Sequence, residues 1–312
     1  MKHTKRALAT TAAVAAFTMA AATPASAIVD GHDAGRLPAG ILHLTVDYPE
    51  IGRTLACGAG LYPDRYHVVT AAHCLSDQLT APTVVPVQPS RVHVRGGSLD
   101  RTTGGQTANG TQVTLHPDWS WVDPTSGKPV SDIAQLALDR PLDGPVLKVA
   151  AAPSKPGSQL QLVGWGLTAY PPDPDDANPL PENLQERHGS QLQDRYCGTE
   201  VGVMTEGDVC MTKGGCFGDS GTPVLKENPD ASRVTAVAVF SRETDSATPC
   251  DHPIIGTSIP YFSDWLLAKA ACTPKGMAAG ACPPSRTTAA PKRATAHGRV
   301  PQLGSVLQPA GS

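Results

Sequence analysis

Three residues set far apart in this 312-residue chain could together perform acyl transfer. Ser220 lies in Gly214-Gly215-Cys216-Phe217-Gly218-Asp219-Ser220-Gly221-Thr222-Pro223, where small neighbours let backbone N–H groups approach a substrate carbonyl. A serine hydroxyl is a weak nucleophile until a base takes its proton and a third group orients that base. His73, in Thr70-Ala71-Ala72-His73-Cys74, is a candidate base. Asp132, in Ser131-Asp132-Ile133-Ala134-Gln135-Leu136-Ala137-Leu138, is a candidate orienter. Each string alone is ordinary: a histidine is more often a packing or surface residue, and Gly-Asp-Ser-Gly is common turn composition. In combination, and in the order His, Asp, Ser, they point to a nucleophilic hydrolase.

The elements that must position these groups read as strands. Short apolar strings (Ile41–Val46, His67–Thr70, Arg91–Val94, Gln112–Leu115, Ile133–Leu138, Gln159–Val163 and Val234–Phe240) stand between Gly, Pro, Asp and Asn-rich turns, the rhythm of an all-β sandwich or barrel. Tyr261–Ala271 is the best helix candidate, with Ser263 or Asp264 available as a cap. Tyr170–Asn183, rich in proline and acids, should be an exposed loop. Asp173, Asp175 and Asp176 there lack a spacing that would gather several ligands on one calcium ion, so a solvated acidic loop is the preferred reading.

The ends and the cysteines speak to compartment. Lys2, Lys5 and Arg6 precede an apolar run from Ala7 to Ala22, and Ala25-Ser26-Ala27 fits the small-x-small rule for signal-peptide cleavage. The run is too short and interrupted for a membrane span. Residues 1–27 are therefore expected to be a signal peptide, residues 28–272 the folded domain, and residues 273–312 a disordered basic tail rich in Pro, Ala and Thr, on a secreted, extracellular protein. All eight cysteines follow the signal, which reads as disulfides rather than a metal site. The body from Ile28 to Cys272 holds 17 basic and 28 acidic residues, a net −11, whereas the tail carries +5. An acidic body argues against nucleic-acid binding.

These strings, with Ile28-Val29-Asp30-Gly31, His116-Pro117-Asp118-Trp119, Gly164-Trp165-Gly166 and Ser241 after a strand expected to line the substrate cleft, resemble a chymotrypsin-type (trypsin-like) serine protease, as a secreted bacterial member, over nearly the whole body. The resemblance implies two packed six-stranded antiparallel β-barrels with a C-terminal helix. It assigns Ser220 as nucleophile, His73 as general base and then acid, and Asp132 as orienter, with the N–H groups of Gly218 and Ser220 as oxyanion hole. It pairs Cys57 with Cys74, Cys197 with Cys210, and Cys216 with Cys250, leaving Cys272 and Cys282 to staple the tail. It implies protein or peptide substrates, a protein inhibitor as a further partner, a monomer, and no cofactor. The alternative is a non-catalytic binding protein with an occluded pocket. An α/β-hydrolase esterase would place Ser first, in a Gly-x-Ser-x-Gly elbow, and His last.

Two departures from the family pattern bear on activation and specificity. In the family a freed N-terminal Ile pairs its ammonium with the Asp before the catalytic Ser, here Ile28 and Asp219. The residue before Ile28 is Ala27, at the expected signal-peptidase site, so export itself would create the active N-terminus. The specificity pocket is assigned to Gly214, Gly215, Ser241, Glu243 and Ile254. Gly214 stands where trypsins carry an Asp, and Ile254 replaces a pocket-wall Gly. Small or medium apolar substrate side chains are therefore expected rather than Arg or Lys; the alternative is that Glu243, at the cleft rim, favours a basic group nearby.

Overall fold

The computed structural model describes residues 28–77, 85–120, 131–176, 179–198, 204–228, 234–245, 247–271 and 306–309. The stretch expected to be a signal peptide, Cys272 and Cys282 lie outside the described residues.

Strand formation follows the apolar strings. In chain order the strands are β1 (His32–Asp33), β2 (Ile41–Tyr48), β3 (Arg53–Leu61), β4 (His67–Thr70), β5 (Val92–Gly96), β6 (Gln106–Leu115) and β7 (Ala134–Leu138). They continue with β8 (Gln159–Gly164), β9 (Gln185–Ser190), β10 (Asp208–Met211), β11 (Pro223–Glu227), β12 (Val234–Glu243) and β13 (Ile254–Ser258). Helix α1 (Ser263–Ala270) and a last strand, β14 (Val306–Pro309), follow. In β2, Thr45 and Asp47 are half-buried while the residues between and before them are buried, so one face is committed to the core.

The first sheet runs β14-β3-β2-β5-β6-β7-β4, and pairing of β3 with β4 at Gly60–Val69 and Leu61–Val68 closes six of its strands into a barrel. The second runs β1-β9-β8-β11-β12-β13-β10, and its far strands meet through the Gln191–Met211 bridge and the Thr212 N–H donating to the Ser190 carbonyl. Each sheet encloses its own apolar cluster, one around Leu44, Val68 and Leu136, the other around Leu162, Val224 and Val237. A third cluster takes Ile41, Val69 and Ile133 from the first half and Val163, Leu225 and Val239 from the second, with Leu266 of α1. Full burial of one such side chain stabilises by roughly 1.5–3 kcal/mol, so this shared core fixes one half against the other. The architecture is the mostly-β, two-sheet fold with one C-terminal helix that the resemblance implied.

Two local expectations change. The helix begins at Ser263 with Phe262 in the cap position and no side-chain cap; Ser263 Oγ instead donates to the Pro260 carbonyl at 3.0 Å. Packing holds this helix in place of a cap, since Leu266 is buried and Gln135 Nε2 on β7 donates to its carbonyl at 2.9 Å. Within the stretch expected to be a disordered tail, β14 pairs antiparallel with β3, Val306 opposite Ala56.

Candidate active site

Asp132 is held by three donors. The backbone N–H of His73 reaches its Oδ1 at 2.8 Å, the His73 ring Nδ1 its Oδ2 at 2.8 Å, and the Ser241 hydroxyl the same Oδ2 at 2.7 Å. His73 sits in a buried 3-10 turn, Ala72–Leu75, directly after β4, while Asp132 precedes β7, the strand paired with β4. Sheet register thus brings two residues 59 apart in sequence into contact. Burial pushes the Asp132 carboxyl up, but the His73 ring and the hydrogen bonds from His73 and Ser241 outweigh it and hold it below the ordinary carboxylate range. With Nδ1–H committed to the carboxylate, the ring's other nitrogen is the basic one.

Ser220 lies on the tight turn between β10 and β11. The turn is closed by Asp219 N–H on the Cys216 carbonyl at 3.0 Å and Thr222 N–H on the Asp219 carbonyl at 2.9 Å. Gly218 there has φ +98° and Gly221 φ +80°, the left-handed region glycine tolerates. The turn is seated against the first barrel: Gly58 N–H donates to the Ser220 carbonyl at 2.8 Å. A Cβ on Gly58 would lie 1.7 Å from Thr222 Oγ1, so that approach needs glycine.

The Asp219 carboxylate is held by two backbone donors. Its Oδ1 accepts from Gly166 N–H at 2.8 Å and its Oδ2 from Cys216 N–H at 2.9 Å. The Gly164-Trp165-Gly166 string has a physical reason here, because a Cβ on either glycine would overlap this carboxylate. Burial drives the Asp219 pKa well up, the two N–H donors oppose it, and nearby Glu243 adds to it. Among the described residues no cation pairs with this buried acid. Ile28 is fully buried in the second core, and Val29 N–H donates to the Gly214 carbonyl at 2.9 Å.

A cavity of about 20 Å³ opens beside Ser220, with Gly215, Phe240, Ser241, Glu243 and Ile254 in its lining. Two pocket expectations need correction. Gly214 does not line it; a Cβ there would meet Leu162 at 2.8 Å and Ile28 at 3.4 Å, so this glycine serves the N-terminal segment. Ser241 lines it as expected, and its hydroxyl also donates to Asp132. Glu243 is not at a rim: it is 8 % exposed, accepts from Cys250 N–H at 3.2 Å, and burial raises its pKa to about 8.

Sequence reasoning missed the Arg242–Asp208 pair, whose side chains are 5 % and 2 % exposed. Arg242 also donates to Ser241 Oγ at 3.3 Å, leaving that hydroxyl's proton for Asp132. A charged residue directly after Ser241 at the end of an apolar strand was the available signal.

The three expected disulfides, Cys57–Cys74, Cys197–Cys210 and Cys216–Cys250, are all formed. The first joins β3 to the His73 turn and the third joins the Ser220 turn to the pocket wall. Among the described residues, Cys57, His73 and Cys74 form a group close enough to hold a metal, but the disulfide withdraws both sulfurs. Asp173 Oδ1 accepts the Asp175 N–H at 2.9 Å, so that carboxylate orders its own turn.

The trypsin family profile matches residues 44–266, which include every residue of the His73–Asp132–Ser241 cluster and the Ser220 turn. The chain belongs to the trypsin family. It is 29% identical to granzyme M of Rattus norvegicus over 226 residues, covering 67% of this chain and 78% of that protein. Trypsin 5G1 of Aedes aegypti is 26% identical over 225 residues, covering 69% of this chain and 76% of its own length. A trypsin-like protease of Streptomyces glaucescens is 28% identical over 196 residues, covering 60% and 65%. With animal trypsin-family relatives prominent beside one from Streptomyces, the expectation of a bacterial member is not supported. No helix among the described residues is long and apolar enough to cross a membrane.

Proposed function

We propose that the protein is a secreted serine endopeptidase. Ser220 attacks the scissile carbonyl, His73 takes its proton and returns it to the leaving amine, and Asp132 keeps the imidazole oriented and stabilises its cationic form. The N–H groups of Gly218 and Ser220 receive the developing oxyanion; loss of one such donor typically costs about 100- to 1000-fold in rate. The observation that carries the reading is the buried His73–Asp132 contact at 2.8 Å, beside the glycine-rich turn that bears Ser220. Covalent labelling with a fluorophosphonate tests it: the native chain should label and Ser220→Ala should not. Equal labelling of both, or none of either, would refute it and favour a binding protein of protease shape.

Activation follows from the charge on Asp219. Removal of residues 1–27 would free the Ile28 ammonium to neutralise a carboxylate that, among the described residues, is held by the N–H groups of Gly166 and Cys216. Edman sequencing of the exported protein should begin at Ile28; a start at Ser26 or earlier sinks the idea that export itself yields the active form.

The pocket is small because Phe240 and Ile254 fill it. About 20 Å³ holds one or two waters, so the preferred side chain is that of alanine or another small apolar residue. Peptide-library profiling decides this, and cleavage confined to Arg or Lys would overturn it.

A further inference from the structure

The hydrogen-bonding groups of β3 are divided between its two edges. Its inner edge is used by β2 from Gly60–Ile41 to Arg53–Tyr48. Its outer edge is used in three pieces. At Gly60 and Leu61 it pairs with β4, at Gly58 its N–H holds the Ser220 carbonyl at 2.8 Å, and at Arg53–Ala56 it pairs with β14. The strand contributed by the C-terminal segment therefore shares one edge of one strand with the Ser220 turn. Ala56, opposite Val306, is two residues from Gly58, about 7 Å along a strand.

Direction matters as much as position. β14 is antiparallel to β3, with Pro309 opposite Arg53 and Val306 opposite Ala56, so its N-terminal end points toward Cys57, Gly58 and Ser220. A polypeptide whose reacting carbonyl sits at Ser220, and which runs antiparallel to β3, must lay the residues after its scissile bond along Ala56 to Arg53. Those are the backbone groups β14 holds. An exposed strand edge accepts one extended partner at a time, through main-chain hydrogen bonds.

We propose that the C-terminal segment carrying β14 is an intramolecular competitor of polypeptide substrates, docked by strand pairing on the Arg53–Ala56 edge of β3. The inference rests on the protease reading of Ser220 and adds to it a regulation that acts on one side of the scissile bond. Charge assists the docking: the tail after Cys272 has five basic residues and no acid, and the body it returns to carries −11. Tethering does the rest. Covalent linkage of a segment to its site typically gives an effective concentration of about 1 mM, so a segment with a free Kd of about 0.1 mM would raise the apparent KM about tenfold.

The test separates the competitor from the chemistry. Leu307→Pro/Gln308→Pro, made in the full chain, removes consecutive backbone donors from β14 and prevents its pairing. For peptides with several residues after the scissile bond, KM should fall about tenfold with kcat unchanged. Fluorophosphonate labelling and cleavage of short substrates that end at the scissile bond should not change. The synthetic peptide of residues 300–312, added to this variant, should restore the high KM competitively. A fluorescent form of that peptide should also bind the same variant carrying Ser220→Ala, which reads docking without catalysis. An unchanged long-peptide KM, or no binding of the 300–312 peptide, overturns the inference even if labelling is intact. Loss of labelling with peptide binding retained overturns the protease reading and leaves the docking standing. Should the proline variant fail to fold, Thr54→Cys/Gln308→Cys provides the second route, because these positions face each other across the pair. The crosslink should form in the exported protein and suppress long-peptide cleavage alone; its failure to form counts against the docking.

Discussion

Glu243→Gln is the sharpest probe of the pocket, because burial has moved this carboxyl from an ordinary 4.5 to about 8, with the Cys250 N–H donating to it. Below about pH 4.5 the folded and unfolded chains both keep its proton. Between about pH 4.5 and 8 the unfolded chain releases a proton that the folded chain retains, so stability falls by roughly 1.4 kcal/mol per pH unit. Above about pH 8 both states are ionised and this contribution has been lost, a total of about 5 kcal/mol. The Cys250 N–H faces Glu243 and partly opposes the shift, while the Glu243 charge in turn adds to the cost of ionising nearby Asp219. Glutamine keeps the shape and an acceptor for Cys250 but cannot ionise. Urea unfolding of the native and variant proteins, disulfides intact, should be run at unit intervals from about pH 4 to 9. The variant should gain progressively on the native protein as pH rises, approaching about 5 kcal/mol at the alkaline end. A difference that stays constant across that range would refute the argument, showing that Glu243 titrates as an ordinary surface acid.

Ser241→Ala removes one of the three donors on Asp132 without touching His73; kcat should fall about tenfold or more at constant KM, and Ser241→Thr should recover part of it, whereas an unchanged kcat would show the hydroxyl to be incidental. Arg242→Met should destabilise by about 3–5 kcal/mol in thermal or urea melts by stranding Asp208, while Asp208→Leu/Arg242→Met should return most of that loss. Gly58→Ala places a methyl carbon 1.7 Å from Thr222 Oγ1 and should cost about 1–3 kcal/mol in stability, with slower fluorophosphonate labelling as the Ser220 turn shifts; a neutral melt would mean that the turn yields freely. Cys57→Ser/Cys74→Ser should cost about 2–5 kcal/mol, read in the same melts.

Much of this protein was legible in one dimension because the signals are local. Apolar strings punctuated by turn residues marked strands, and glycine around Ser220 marked a tight turn. The strings around His73, Asp132 and Ser220 carried the family resemblance that paired the cysteines and named the fold. What stayed hidden depends on distances between residues remote in sequence. Gly164 and Gly166 look like turn residues until the Asp219 carboxylate occupies the space their side chains would need. Gly214 has the composition of a pocket residue, yet its neighbours are Leu162 and Ile28. Glu243 reads as a surface acid, and only closure of β12 on β13 removes it from water and shifts its proton affinity. Strand propensity cannot foretell that Val306–Pro309 will find the open edge of β3, since that edge exists only once the first barrel has closed and left it unpaired. Residue chemistry set which reactions were possible; burial and register, being properties of the whole chain, decided which groups meet and in what state of charge.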